Sequence, residues 1–146
     1  MATLTVFPDA DPETNSVDGM VAEGTDNQTW ATKHDALTGD EADSTGAELA
    51  CQISAGTNNN TWLRIRRVFL LFYTASLGAG ATISAATLSA VSYGKEDNLG
   101  GSGSVRVVTS TPASNTNLIT ADYDQLGTTA QTETDPTIAG ITGASA

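Results

Sequence analysis

Cysteine, positive charge and aromatic residues are what this chain has least of, and each shortage closes off a class of protein. The single cysteine, Cys51, cannot form a disulfide within the chain, so stability must come from packing, from pairing between chains or from a bound ion. Six Lys and Arg against seventeen Asp and Glu leave a net charge of −11. Binding a phosphate backbone depends on Lys and Arg displacing its counterions, so neither nucleic acid nor an anionic membrane surface is an expected partner. No apolar run approaches the roughly 20 residues that span a bilayer. The start, MATLTVFPDADPE, has neither a basic n-region nor a long apolar h-region, so no secretory leader is expected. Such a protein stays where it is made, or leaves the cell by lysis or as part of a particle.

Scarce Lys, Leu and aromatic residues disfavour long amphipathic helices. Abundant Thr, Ala, Ser and Gly favour short strands joined by many turns, and 146 residues suffice for one core. The fold class expected is all-β, an antiparallel β-sandwich. Eleven of the seventeen carboxylates fall between Asp9 and Glu48, which makes the first third a solvated face suited to a cation or a basic partner.

The densest apolar run, Thr61 to Tyr93, is the expected centre of the fold. Trp62 to Tyr73 predicts a strand, with Arg64 and Arg66 opposite Leu63 and Ile65, that becomes apolar on both faces from Val68 to Phe72. Gly78-Ala79-Gly80 predicts a turn, and the alternation from Thr82 to Tyr93 predicts the partner strand. Before this run, strands are expected at Thr3 to Phe7, stopped by Pro8, and at Ser16 to Glu23, with Gly19 as a bulge or close-approach site. Gly24 to Gly46 reads as a long loop pinned by Trp30. Glu48 to Ser54 reads as a strand with Leu49, Cys51 and Ile53 on one face, and Ala55 to Asn60 as a turn whose Gly and Asn tolerate positive φ. After the run, Lys95 to Ser104 is a loop and Val105 to Thr109 a strand. Thr120 to Gly127 is a short helical turn capped by Thr120. The domain is expected to span 1–127, and 128–146 to be weakly structured or dependent on assembly.

Two segments, RRVFLLFYTASLGAGATISAATLSAV and VVTSTPASNTNLITADYDQLGTT, resemble a family: the β-sandwich proteins of phage and environmental virus genomes related to DNRLRE-type jelly-roll domains. The resemblance covers about residues 3 to 127, with Val17-Asp18-Gly19 and Trp30 also fitting. It implies a jelly roll and a non-enzymatic role in virion appendages, tail fibres or carbohydrate-associated surface proteins, and it supplies no catalytic residue. Tyr73 departs from the family's usual Asp or Gly. Family members also continue for several strands beyond the segment matching Gly127, so the sandwich is incomplete within this chain. Either a neighbouring subunit supplies the missing strands, as in strand addition, or more chain once followed.

Candidate sites follow from residue chemistry. Asp9, Asp11 and Glu13 place oxygen ligands at alternate positions, which suits calcium or a solvated acidic loop; the EF-hand pattern fails, with Thr14 at its Gly position and Met20 at its closing Glu. Trp30 and Trp62 suit a sugar-stacking platform or core packing. Arg64, Arg66 and Arg67 suit a grip on a neighbouring subunit's carboxylates or pairing with Asp and Glu within the chain. Asp122 and Asp124 flank Tyr123 without the defined cleft that glycoside hydrolysis requires. His34 has no second metal-spaced ligand and reads as a surface residue, and Cys51 as a small buried hydrophobe. The function expected is that of a non-enzymatic structural or decorating protein of a virus particle or extracellular fibre, located in the virion or outside the cell, with homo-oligomeric or virion partners and no cofactor. The alternative is a carbohydrate-binding module, with or without calcium.

Overall fold

A computed structural model describes residues 3–46, 49–98, 100 and 103–141. The chain divides into two compact units, one of residues 1–78 and 110–127, the other of residues 79–109 and 128–146. The expected strand pair of Thr61 to Tyr93 is thus split between units at Gly78, and residues after 127 share a unit with 79–109.

The first unit is built on an antiparallel sheet of strands β1 (Asp18–Glu23), β2 (Glu41–Asp43), β3 (Gln52–Ala55) and β4 (Trp62–Leu70), in the order β2-β1-β4-β3. The long, β-branched and aromatic β4 is central, as its pattern requires. It pairs with β1 from Asp18↔Leu70 to Glu23↔Ile65 and with β3 from Gln52↔Arg66 to Ala55↔Trp62. The turn between β3 and β4 closes with the Gly56 N–H on the Thr61 carbonyl at 2.8 Å, and Asn60 supplies the positive φ, 59°. A single α-helix, α1 (Trp30–His34), precedes β2, with the Thr29 hydroxyl accepting from the Thr32 N–H. Gly24 to Gly46 is therefore a helix and an edge strand joined by short turns rather than one loop.

Cross-strand register explains which side chains meet. Residues opposite one another share a face, so Gly19, Val21 and Glu23 lie with Phe69, Arg67 and Ile65. Val17, Val21, Ile65, Phe69, Leu118 and Tyr123 form the buried core, with Ala36, Ala42, Leu71 and Leu126 packed against it. The layer over this face comes from the 3-10 turn Thr120–Asp124 and its flanks. The all-β class holds; in this unit a helical turn and irregular chain take the place where a sandwich would have a second sheet. Gly19 sits in an unbroken register, so it is no bulge. It is a close-approach site: a Cβ there would lie 2.3 Å from the Asp43 carbonyl and 2.7 Å from Leu118 Cδ1.

Strands β5 (Val108–Ser110) and β6 (Leu126–Ala130) form a two-stranded ribbon, and each runs from one unit into the other. In the second unit, Val105 N–H donates to the Pro136 carbonyl at 2.9 Å and Ile138 N–H to Gly103 at 2.9 Å, with an Arg106–Asp135 ion pair at 2.8 Å.

Four expectations fail. Thr3 to Phe7 forms no strand, and Phe7 is 76% exposed. Glu48 lies outside the described residues, and strand structure starts only at Gln52, leaving Leu49 and Cys51 before it and Cys51 exposed. Thr120 opens its 3-10 turn instead of capping it, and Gly127 lies inside β6. The turn at Gly78 and Gly80 forms, with φ 75° and 83°, but the strand expected over Thr82 to Tyr93 is absent; within it a β-bridge at Ser92 is the one paired position.

Phe69 is 1% exposed at the centre of the core. Phe69→Ala is expected to cost about 3–5 kcal/mol in urea unfolding, and a loss below about 1 kcal/mol would remove β4 from the centre of the fold. Gly19→Ala, whose methyl would meet backbone, should cost about 1–3 kcal/mol by the same measurement.

Candidate functional site

The three arginines of β4 divide by parity. Arg64 and Arg66 lie on the face away from the core, and both reach Glu41 of β2 across β1, at 3.7 Å each. They can do so because β1 is thin there: Ala22 stands opposite Arg66, and a Cβ on Gly24 would collide with the Arg64 side chain. Both pairs are long and partly exposed, and they contribute little. Arg67 lies on the core face. Its guanidinium stacks 3.8 Å from the centre of the Tyr123 ring and donates to the Tyr123 carbonyl at 2.5 Å and the His34 carbonyl at 2.6 Å. Arg67 is thus engaged by backbone carbonyls and an aromatic face of its own chain. Parity with Ile65 and Phe69 marks it in the sequence.

Tyr123 is fully buried, and its hydroxyl donates to the Lys33 carbonyl at 2.8 Å. Lys33 is itself fully buried and pairs with Glu23 at 2.5 Å. The anchor of α1 is therefore Lys33, not Trp30, and nothing in the sequence marks a lone Lys in a polar segment as internal. Asp122 is fully buried as well. Its two carboxylate oxygens accept from the N–H groups of Ala113 at 2.8 Å and Ile119 at 2.9 Å, so it serves the turn that expectation gave to Thr120.

Trp30 and Trp62 do come together. Their rings meet edge to face at 5.3 Å, and Trp30 stacks on His34 at 5.1 Å. Trp30 is 41% exposed, so the trio forms an aromatic surface patch rather than core. The His34 ring also contacts the Asp35 carboxylate at 2.6 Å.

The acidic loop folds on itself. Asp9 Oδ2 accepts from the Thr14 N–H, the Thr14 hydroxyl and the Asn15 N–H, and these bonds, the Thr14 hydroxyl first, hold the carboxyl down at about 2. Asp9, Asp11 and Asp18 line a concavity of about 310 Å3. Burial, then the charge of Asp11, pushes Asp18 up. A backbone hydrogen bond pulls Glu13 down, but desolvation and the neighbouring Asp11 outweigh it and leave it raised. Among the described residues no group of three or more His, Cys, Asp or Glu is arranged to hold a metal ion.

A further exposed apolar surface lies elsewhere. From Val68 to Gly94 the chain carries no charged side chain, and residues 73–91 are exposed throughout. Ile83 is 64%, Leu88 48% and Val91 89% exposed. Among the described residues, no backbone group of 79–91 is hydrogen-bonded. A second uncharged run, Leu49 to Leu63, contains the edge strand β3, where Ile53 is 47% exposed.

No family model, curated protein or solved structure matches this chain. What it does must be argued from these surfaces.

Burial pushes the Tyr123 phenol up to about 12, with the Arg67 charge acting against it. An unfolded tyrosine ionises near 10, so below that pH both states keep the proton. Between there and about pH 12 only the unfolded state loses it, and stability should fall by ~2–3 kcal/mol. Tyr123→Phe should abolish this part of the alkaline slope while costing about 1–3 kcal/mol at neutral pH, through the unpaired Lys33 carbonyl. Urea midpoints of both proteins across the alkaline range check this, and equal slopes would refute it.

Proposed function

We propose that this is a non-enzymatic structural or decorating protein of a particle or fibre, working by self-association. The observation that carries the reading is the uncharged, alternating apolar segment 79–91, which is exposed and without backbone partners among the described residues. Exposed apolar surface of this extent, joined to unpaired strand-forming chain, favours association over a free monomer. The resemblance to phage and viral β-sandwich proteins supports a virion or extracellular setting, and the hydrogen bonds that the carboxylates of Asp9 and Asp122 accept from backbone N–H groups fit a structural role.

A second reading has its own support. The Trp30, His34 and Trp62 patch offers an exposed aromatic ring of the kind that stacks on the apolar face of a pyranose, which suits a carbohydrate-binding module. In that reading calcium would be an accessory at the Asp9 to Glu13 loop.

Size-exclusion chromatography with light scattering should find a multimer. Because copies of net charge −11 repel, association should strengthen as added salt screens them. A monomer at all concentrations and salt levels, retained by a glycan array and released by Trp30→Ala, would replace the assembly reading with the second one.

A further inference from the structure

Two uncharged runs of this chain, 49–63 and 68–94, are complementary in what they lack. Strand β3 is an edge: Gln52–Ala55 pairs with β4 on one side, and among the described residues nothing pairs with its other side. Natural sheets protect such edges with Lys, Pro, charge, short length, a β-bulge or a covering segment. Between Leu49 and Leu63 there is no Lys, Pro or charge, and Cys51, Gln52, Ile53 and Ala55 are exposed; the four-residue strand has a register shift only at its end, between Ser54 and Ala55, so an incoming strand would pair over its first part. The opposite edge, β2, is three residues long, carries Glu41 and Asp43, and curls away as Asp43 accepts from the Thr45 N–H at 2.9 Å. Segment 81–91 is the converse, a strand pattern without a sheet.

We infer that segment 81–91 of one copy adds as a strand to the free edge of β3 in a second copy. The inference rests on the self-association reading and names its contact. Charge permits the occupant and backbone pairing selects it. Copies of net charge −11 repel one another, and both of these runs, like 107–121, carry no charge, so they can meet without opposing carboxylates; of these stretches 81–91 is the one that combines a strand pattern with exposed, unpaired backbone among the described residues. Strand addition gives each side what it is missing, main-chain hydrogen bonds for the segment and a fifth strand for the sheet, with Ile83 or Leu88 available to cover Ile53. The contact is heterologous, because different surfaces of the two copies meet, so it propagates into a ring or a filament rather than stopping at a two-fold dimer.

Cys51, exposed at the start of the β3 edge, is the built-in reporter. Single cysteines placed in turn at Ser84, Ala85, Ala86, Thr87, Leu88 and Ser89 are oxidised in the full-length protein, with Cys51→Ser as control. Disulfides need Cα atoms within roughly 7 Å, and alternate strand residues point to opposite faces. Intermolecular disulfides to Cys51 should therefore peak at one position and recur with a period of two, and vanish in the control. In parallel, Ala86→Pro, which removes a backbone donor from an exposed segment, should abolish the multimer while leaving the urea unfolding of the sheet unchanged. A multimer whose cross-links are absent or without period, or that survives Ala86→Pro, overturns strand addition and leaves self-association standing. A disulfide that closes within single chains overturns it too. A monomer under all conditions overturns both.

Discussion

Arg67 is the side chain on which the first unit depends. A central strand normally turns only apolar residues toward its core, yet β4 places a guanidinium between Ile65 and Phe69. The charge is accommodated because the layer above it offers a ring face and two carbonyls at the right distances. Those acceptors come from opposite ends of the unit's sequence, His34 at the end of α1 and Tyr123 in the returning segment. One planar fork thereby fixes both against the sheet, and the Tyr123 hydroxyl joins the two segments to each other through the Lys33 carbonyl. Lysine could not do the same, since a single ammonium lacks the fork that satisfies two carbonyls and stacks on a ring at once.

Such an arrangement is half visible in the sequence. The centrality of β4 was legible because nine consecutive residues carry both the β-branched and aromatic composition and the alternation of a sheet interior. The turn at Asn60 and the positive φ at Gly78 and Gly80 were legible because those residues have local conformational reasons to be there. Lys33 and Asp122 were not, because burial of a charged group is decided by partners distant in sequence. Segment 82–93 shows the other limit. Alternation states which face of a strand would be buried, but whether the segment pairs within its own chain is decided by how the whole sheet is assembled, which local pattern does not report. Cys51 misled for a related reason: its alternation with Leu49 and Ile53 belongs to an edge, whose faces are not covered. The two tryptophans were identified correctly as a pair, while the choice between core and surface depended on a helix that the polar composition of 24–46 concealed.

Charge distribution connects the fold to the proposed role. Part of the acidic first third is engaged within the chain, Glu41 by Arg64 and Arg66 and Asp9 and Asp43 by backbone donors. Uncharged runs include β3 and the segment beyond Gly78. Repulsion among the acidic surfaces disfavours contacts through them and leaves uncharged stretches such as these as approaches of lower electrostatic cost.

The order of the chain has a consequence for its making. The first unit is interrupted after Gly78 and resumes at Ser110, so Leu118, Tyr123 and Asp122 reach the core only after the whole intervening stretch has been synthesised. Until then a nascent chain holds a sheet with one uncovered face, and Arg67 without its acceptors. The entropic cost of closing that interval rises only with the logarithm of its length, about 0.6 kcal/mol for each doubling. By that measure the length of the stretch between Gly78 and Ser110 costs the first unit little, so changes in its length there weigh less on closing the core than on the second unit that the stretch itself builds with 128–146.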